Sequence, residues 1–376
     1  MLKKCIFLLP LVVVLLSLTA LAAEPSVSAK SAVLIDAQTG SIIFAKNENE
    51  RLPMASTTKI MTSLITLEEA AKNDKQVIIT DQMIRVEGSS MGLLPGNIVT
   101  LSTLATGMLT VSGNDAANSA AYAIAGSPEV FAKLMNSKAL ELGLTNTHFV
   151  TPSGLDAPDH YSTAYDMALL GATAMKNPAF AAIASQKTMT VGFINPKQSY
   201  HFTNHNRLLS MYDGCIGVKT GFTKKSGRCL VSAAERNGIR LVAVTLNAPD
   251  DWNDHEKLYD YGFALLSPMQ INDTGVRYEV PVVGGLQENV MAAGTQADDI
   301  TIKTEDSDRI VRTVEMPSFV YAPVRNGQVL GRIRYTLDGE TLALTDLIAV
   351  RDVDALPIKK NFFERAFDTI KGLFGF

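Results

Sequence analysis

The chain has 376 residues, 47% hydrophobic and 19% charged, with a formal net charge of −4. That length is more than one compact core holds, so about two domains are expected, and the composition excludes a disordered or fibrous chain. The acidic balance, with no basic run inside the body, speaks against a nucleic-acid partner.

The first residues, "MLKKCIFLLPLVVVLLSLTALAAEP", set Lys3 and Lys4 before an apolar run from Cys5 to Leu18 and a small-residue exit at Ala20, Ala22 and Ala23. This pattern predicts a secretory signal peptide over residues 1–23. The run is short for a membrane span and lacks a stop-transfer flank. A retained anchor is therefore the weaker alternative, and the mature protein is expected outside the cytoplasmic membrane. Cys5 falls too early for lipidation at the cleavage point. Cys215 and Cys229 remain, too few for a disulfide framework.

"SAVLIDAQTGSIIFAKN" reads as a β-hairpin turning at Gly40. Helical spacing follows at Ile60, Met61, Leu64, Ile65 and Leu67, at Leu101, Leu104, Met108 and Leu109, and at Ala117, Ala120, Ala121 and Ile124. "GCIGVKTGFTKKSGRCLVSAAERNGIRLVAVTLNA" returns to strands, with turns at Lys224 to Gly227 and at Asn237-Gly238. Terminal strands with helices between them predict one α/β domain over residues 24–270, its sheet antiparallel because tight hairpins join the last strands. Residues 275–357 read as a second, all-β domain with strands such as Val276 to Val283, Ile300 to Thr304, Ile310 to Glu315 and Gln328 to Thr336. It carries no catalytic motif and is expected to be a spacer or docking module. Residues 358–376, "IKKNFFERAFDTIKGLFGF", place Phe362, Phe363, Ala366, Phe367, Ile370, Leu373 and Phe374 on one helical face, with Lys360, Glu364, Asp368 and Lys371 opposite. Such a helix suits a membrane interface; the alternative is a helix docked on the β domain.

Three short motifs carry the chemistry. In "PMASTTKIMT", Ser56 and Lys59 stand three apart at the start of a predicted helix, so the amine can reach the hydroxyl. To act as a base near pH 7 the amine must lose about three pKa units, roughly 4 kcal/mol, through desolvation and neighbouring positive charge. The helix N-terminus assists, and the free amide of Ser56 offers half of an oxyanion hole. Alone, Ser-x-x-Lys is weak, since a capping serine and a solvent-seeking lysine give the same pattern. "VSGN" adds Ser112 and Asn114 between two helical segments, and "VKTGFT" adds Lys219, Thr220 and Gly221 on a strand. A glycine there lets another extended backbone approach, while Lys219 and Thr220 offer a charge and a hydroxyl to a carboxylate.

In this order the motifs resemble those of penicillin-binding proteins and class A β-lactamases. With "GSSMGLLPGNIVTLSTLATGMLTVSGNDAANSAA" and "ELGLTNTHFVTPSGLD", the chain resembles the D-alanyl-D-alanine carboxypeptidases along essentially its whole mature length. The resemblance implies a β-lactamase/transpeptidase-like domain followed by a small β domain and a tethering helix at the outer face of the cytoplasmic membrane. It implies that Ser56 attacks the penultimate D-alanine carbonyl of a peptidoglycan stem peptide and releases the terminal D-alanine. Lys59 would take the serine proton, Ser112 would relay a proton to the leaving amine, and Asn114 would orient Lys59 and the substrate. Lys219 and Thr220 would hold the terminal carboxylate and the Ser112 hydroxyl, and the Phe222 amide would complete the oxyanion hole. β-Lactams would acylate Ser56, and no cofactor or metal is implied. Phe222, His205 with Arg207 nearby, and Asp254 stand at or near positions where some relatives carry histidine or arginine. Carboxylate recognition beyond Lys219 and Thr220 is therefore open.

His201 and His205 stand four apart, yet their neighbours suggest strand or loop, and no His-Glu-x-x-His pattern is present. If the turn centres near residue 225, Cys229 lies opposite Phe222 or Gly221, too far from Cys215 to bond, which predicts free thiols. Trp252 precedes a predicted helix and reads as core. Two other functions compete. A class A β-lactamase needs a carboxylate in the loop after Ser-x-Asn, and none falls between Glu141 and Asp156. A non-catalytic binder of stem peptides or β-lactams has no need of a matched nucleophile and base.

Overall fold

The computed structural model describes residues 23–357; the expected leader up to residue 22 and the amphipathic helix from residue 358 lie outside the described residues. The hairpin predicted at the start is β1 (Ser31–Asp36) and β2 (Ile42–Lys46). The three late strands are β3 (Cys215–Thr223), β4 (Gly227–Arg236) and β5 (Ile239–Leu246). With the opening hairpin they form one antiparallel sheet in the order β2-β1-β5-β4-β3, so β1 pairs with a strand about two hundred residues later and most of the helices are inserted between them.

Strand alternation sorts β1 between two cores, with Val33 and Ile35 on one face and Ala32 and Leu34 on the other. On the first face pack α1 (Lys59–Lys72), α2 (Leu101–Thr110), α3 (Asn114–Ala125) and α4 (Ala164–Lys176). The apolar positions that the spacing picked out explain this. Ile60, Met61, Leu64, Ile65 and Leu67 are all buried, each contributing about 1.5–3 kcal/mol. The opposite face is covered by α5 (Asp251–Leu265), through Leu258 and Tyr259. Asp254 accepts hydrogen bonds from Ser28 N (2.8 Å), Ser28 Oγ (2.7 Å) and Ala29 N (3.1 Å). It therefore ties the N-terminal segment to α5, and it does not line the cavity beside Ser56.

Beyond α5, Leu266–Met269 pairs with Ile300–Lys303. A six-stranded sheet follows; it holds the other three expected strands, as Arg277–Val283, Val311–Glu315 and Val329–Leu337, together with Asn289–Gly294, Val320–Tyr321 and Glu340–Ala349. Its buried anchor is Asp273, whose carboxylate accepts from Thr345 Oγ1 (2.6 Å), Tyr335 Oη (3.0 Å) and Arg312 Nη2 (2.8 Å). Among the described residues no helix is long and apolar enough to cross a membrane. Asp273→Ala leaves three donors without their acceptor and is expected to lower stability in urea denaturation by about 3 kcal/mol. A loss within error of zero would contradict that role.

Candidate active site

Ser56 does not sit in the α-helix that the spacing predicts. Ala55–Thr58 is a 3₁₀ turn, and α1 begins at Lys59. In a 3₁₀ turn side chains three apart eclipse one another, so Lys59 Nζ stands 2.9 Å from Ser56 Oγ. The turn is entered through Ala55 with φ 48°, a left-handed value that costs about 1 kcal/mol or more for a residue other than glycine.

Lys59 is fully buried. Its amine also reaches Asn114 Oδ1 and Ser153 O, each at 2.6 Å. Those two oxygens can only accept, whereas the Ser56 hydroxyl can donate. A neutral amine satisfies all three by donating twice and turning its lone pair to Ser56. Burial, aided by Lys219, pulls the Lys59 pKa well below its ordinary value, against the opposing pull of Asp115.

Each partner is fixed by its own local chemistry. Asn114 opens α3, and its Nδ2 donates to Glu87 O at 2.6 Å, which orients its oxygen to Lys59. The next residue, Asp115, accepts from Ser90 Oγ (2.6 Å), Met91 N (2.9 Å) and Leu93 N (3.1 Å) and pins the loop before α2. Ser153 lies in the segment after His148. Pro152 O accepts from Thr62 Oγ1 at 2.6 Å, and His160 Nδ1 accepts from Val150 N at 2.9 Å. The His160 hydrogen is thereby placed on Nε2, 2.9 Å from Thr58 Oγ1, and burial holds its pKa at about 4, so the ring stays neutral. Gly154 has φ +83°, and a Cβ there would lie 2.0 Å from Ala55 O.

The edge strand β3 runs alongside the 3₁₀ turn. A Cβ on Gly221 would come within 3.0 Å of Met54 O, Ser56 N and Thr57 N. The glycine therefore makes room for the turn that carries Ser56, a closer neighbour than the incoming backbone expected there. Lys219 is buried, and its Nζ donates to Thr220 O at 2.8 Å. Burial lowers its pKa to about 7. The Ser112 hydroxyl, held at φ 61°, makes no hydrogen bond among the described residues, so the contact from Lys219 implied by the resemblance is not formed. Ser112 and Ser56 nonetheless line one cavity of about 260 Å³, with Ser89, His205, Thr220, Gly221, Phe222, Arg228 and Asp251. The Phe222 ring projects outward, 64% exposed.

Of the two candidates at "NHNRLL", His205 lines the cavity, its pKa lowered by burial and by Lys219, while Arg207 is exposed outside it. His201 lies on the strand Gln198–Thr203 and His205 in the loop after it. Cys229 pairs with Gly221 and Cys215 with Ala234; both thiols are free, as the register predicted. Sequence reasoning missed Ser153, His160, Arg228 and Asp251. The charge pair had a signal, a lone arginine opposite Phe222 across the hairpin; a carbonyl acceptor such as Ser153 O leaves none.

A serine hydroxyl on a buried amine, beside an edge strand and before an antiparallel sheet backed by helices, defines a serine acyl-transfer enzyme of the penicillin-interacting class. The chain matches the D-alanyl-D-alanine carboxypeptidase family, Peptidase S11, over residues 19–250, and the penicillin-binding protein 5 C-terminal domain over residues 267–355. It is 35% identical to the D-alanyl-D-alanine carboxypeptidase DacF of Bacillus subtilis over 86% of each chain. It is 36% identical to DacC of Escherichia coli over 94% of this chain and 91% of that one. The crystal structure of penicillin binding protein 5 from Haemophilus influenzae superposes with a TM-score of 0.68 at 31% identity, covering 88% of this chain and 98% of that one. The chain belongs to the D-alanyl-D-alanine carboxypeptidase family, serine peptidase family S11.

Two predictions follow from the geometry. Gly221→Ala pushes β3 off the 3₁₀ turn and is expected to slow acylation by benzylpenicillin at least about tenfold; an unchanged rate would show that the turn tolerates the methyl. The unfolded chain keeps the Lys219 proton up to its ordinary pKa of 10.5, whereas the folded chain gives it up at about 7. Folding therefore releases a proton in that window, and stability rises with pH, by about 2 kcal/mol from pH 7 to pH 9. Lys59 adds a rise of the same sign, so Lys219→Met is expected to reduce the total rise in urea melts at the two pH values by about that amount, and an equal rise in both proteins would contradict the assignment.

Proposed function

We propose that Ser56 is the nucleophile and Lys59 its base in a serine-type D-Ala-D-Ala carboxypeptidase acting on peptidoglycan stem peptides. The observation that carries this reading is the buried Lys59 amine 2.9 Å from Ser56 Oγ. Ser56 Oγ attacks the carbonyl of the penultimate D-alanine as its proton passes to Lys59 Nζ. The amides of Ser56 and Phe222 receive the oxyanion, brought together because Gly221 lacks a Cβ. Collapse of the tetrahedral adduct breaks the peptide bond, and the leaving amine takes a proton through Ser112, while Asn114 holds Lys59 and the substrate amide. Water then attacks the acyl-enzyme, releasing the shortened peptide and restoring Ser56.

Thr220 faces the terminal carboxylate, and Lys219 lies directly behind it and contributes positive charge. A carboxylate entering beside Lys219 raises that amine's pKa again, so substrate binding takes up a proton above about pH 7. β-Lactams acylate the same serine. No carboxylate falls between Glu141 and Asp156, and Asp156 itself accepts from Thr223 Oγ1 at 3.1 Å, which supports slow hydrolysis of that adduct over β-lactamase action. Residues 24–270 form the catalytic domain and 275–357 a spacer. Residues 1–23 direct export, and 358–376 rest on the outer face of the cytoplasmic membrane.

Intact mass spectrometry after addition of benzylpenicillin is expected to find one persistent adduct that Ser56→Ala abolishes. An adduct that clears within seconds would indicate a β-lactamase, and none at all would indicate a binder. Deletion of residues 359–376 is expected to move the mature protein into the soluble fraction; unchanged membrane association would reject the anchor.

A further inference from the structure

The cavity beside Ser56 carries a charged pair that the acyl-transfer steps leave unused. Arg228 on β4 stands directly across from Phe222, one residue beyond the Gly221 that touches the Ser56 amide. Its Nε (2.9 Å) and Nη2 (2.6 Å) both donate to Asp251 Oδ1, and its guanidinium carbon lies 5.4 Å from the centre of the Trp252 ring. Asp251 is 2% exposed and opens α5, where its Oδ1 also accepts from Trp252 N at 3.0 Å. The arginine side chain, by contrast, is 42% exposed. Held through Nε and Nη2, the guanidinium leaves Nη1 without a partner among the described residues, and Arg228 lines a cavity shared with Ser56 and Thr220.

The electrostatics point the same way. Arg228 is the only lysine or arginine lining the cavity among the described residues. Lys219 stands behind the wall with its pKa pulled to about 7 by burial, so at neutral pH its charge is partial, whereas a guanidinium stays charged. A planar fork anchored on one side is suited to a carboxylate arriving on the other.

We propose that Arg228, locked by Asp251 and Trp252, is the specificity-determining residue that fixes the carboxylate of the terminal D-alanine. The proposal rests on the carboxypeptidase reading of the site. Arg228 acts from β4, beside the scissile bond, and Lys219 supplies the field behind it. The competing account makes the pair a strut between β4 and the start of α5, which would affect every substrate alike.

The test compares Arg228→Gln, Arg228→Lys and Asp251→Asn with the unaltered protein on diacetyl-Lys-D-Ala-D-Ala and on its C-terminal amide. Arg228→Gln is expected to lose at least about tenfold in kcat/KM on the free acid, chiefly through KM, with little change on the amide. The preference for acid over amide therefore collapses. Arg228→Lys returns part of that preference, and Asp251→Asn loses part of it by loosening the fork. A preference that does not change overturns the proposal, as does a parallel fall on both substrates. It is overturned too if the lost preference concerns a carboxyl upstream in the peptide, tested with a stem peptide whose glutamate α-carboxyl is amidated. Labelling of Ser56 at saturating benzylpenicillin separates the two levels. Labelling that persists in Arg228→Gln beside an unchanged preference removes only the arginine's role. Absence of both labelling and D-alanine release in the unaltered protein removes the carboxypeptidase reading and the proposal with it.

Discussion

A primary amine held out of water beside a hydroxyl is the constraint around which the first half of the chain is arranged. Water would keep Lys59 protonated, and a protonated lysine cannot take a proton from Ser56. The chain removes the water by making Lys59 the first residue of α1, packed within the core that lies between the sheet and the helices. It leaves the amine only polar partners that suit its neutral form, the Asn114 amide oxygen and the Ser153 carbonyl. A second buried lysine, Lys219, adds repulsion that works in the same direction.

Holding that arrangement requires several segments to approach more closely than ordinary side chains allow. Gly221 lets β3 meet the turn, and Gly154 lets the Ser153 segment meet Ala55 from another side. Ala55, which leads into the Ser56 turn, and Ser112 occupy left-handed backbone conformations, each a local cost borne by the surrounding packing. Asp115 and His160 never reach the cavity, yet they fix the two segments that supply Lys59 with its acceptors. The reactive groups thus sit on the ends of rigid elements, and the loops between them are tied down by buried hydrogen bonds.

Much of this was legible in the sequence because the signals were periodic or local. The hairpin at Gly40, the late antiparallel strands, the buried faces of α1 and α2 and the pairing of Cys229 with Gly221 all follow from spacing. The three motifs located Ser56, Lys59, Ser112, Asn114 and Lys219 without knowledge of how they meet. What stayed hidden depends on backbone atoms and on contacts between distant segments. The 3₁₀ turn at Ser56, the Ser153 carbonyl and the reason for Gly221 are set by neighbours up to about a hundred residues or more away, and residue type alone carries no trace of them. Asp254 shows the converse, a charge flagged near the site that serves instead to hold Ser28 and Ala29.

The state of the Lys59 amine is the point on which the account turns, and it can be observed directly. Nuclear magnetic resonance of lysine side chains labelled with carbon-13 and nitrogen-15, assigned through Lys59→Arg, would follow that amine across pH in the resting protein. The account predicts a neutral-amine signal for Lys59 at neutral pH, titrating far below the range of the exposed lysines. An ammonium signal that persists to the ordinary lysine range would contradict it and would require another base for Ser56.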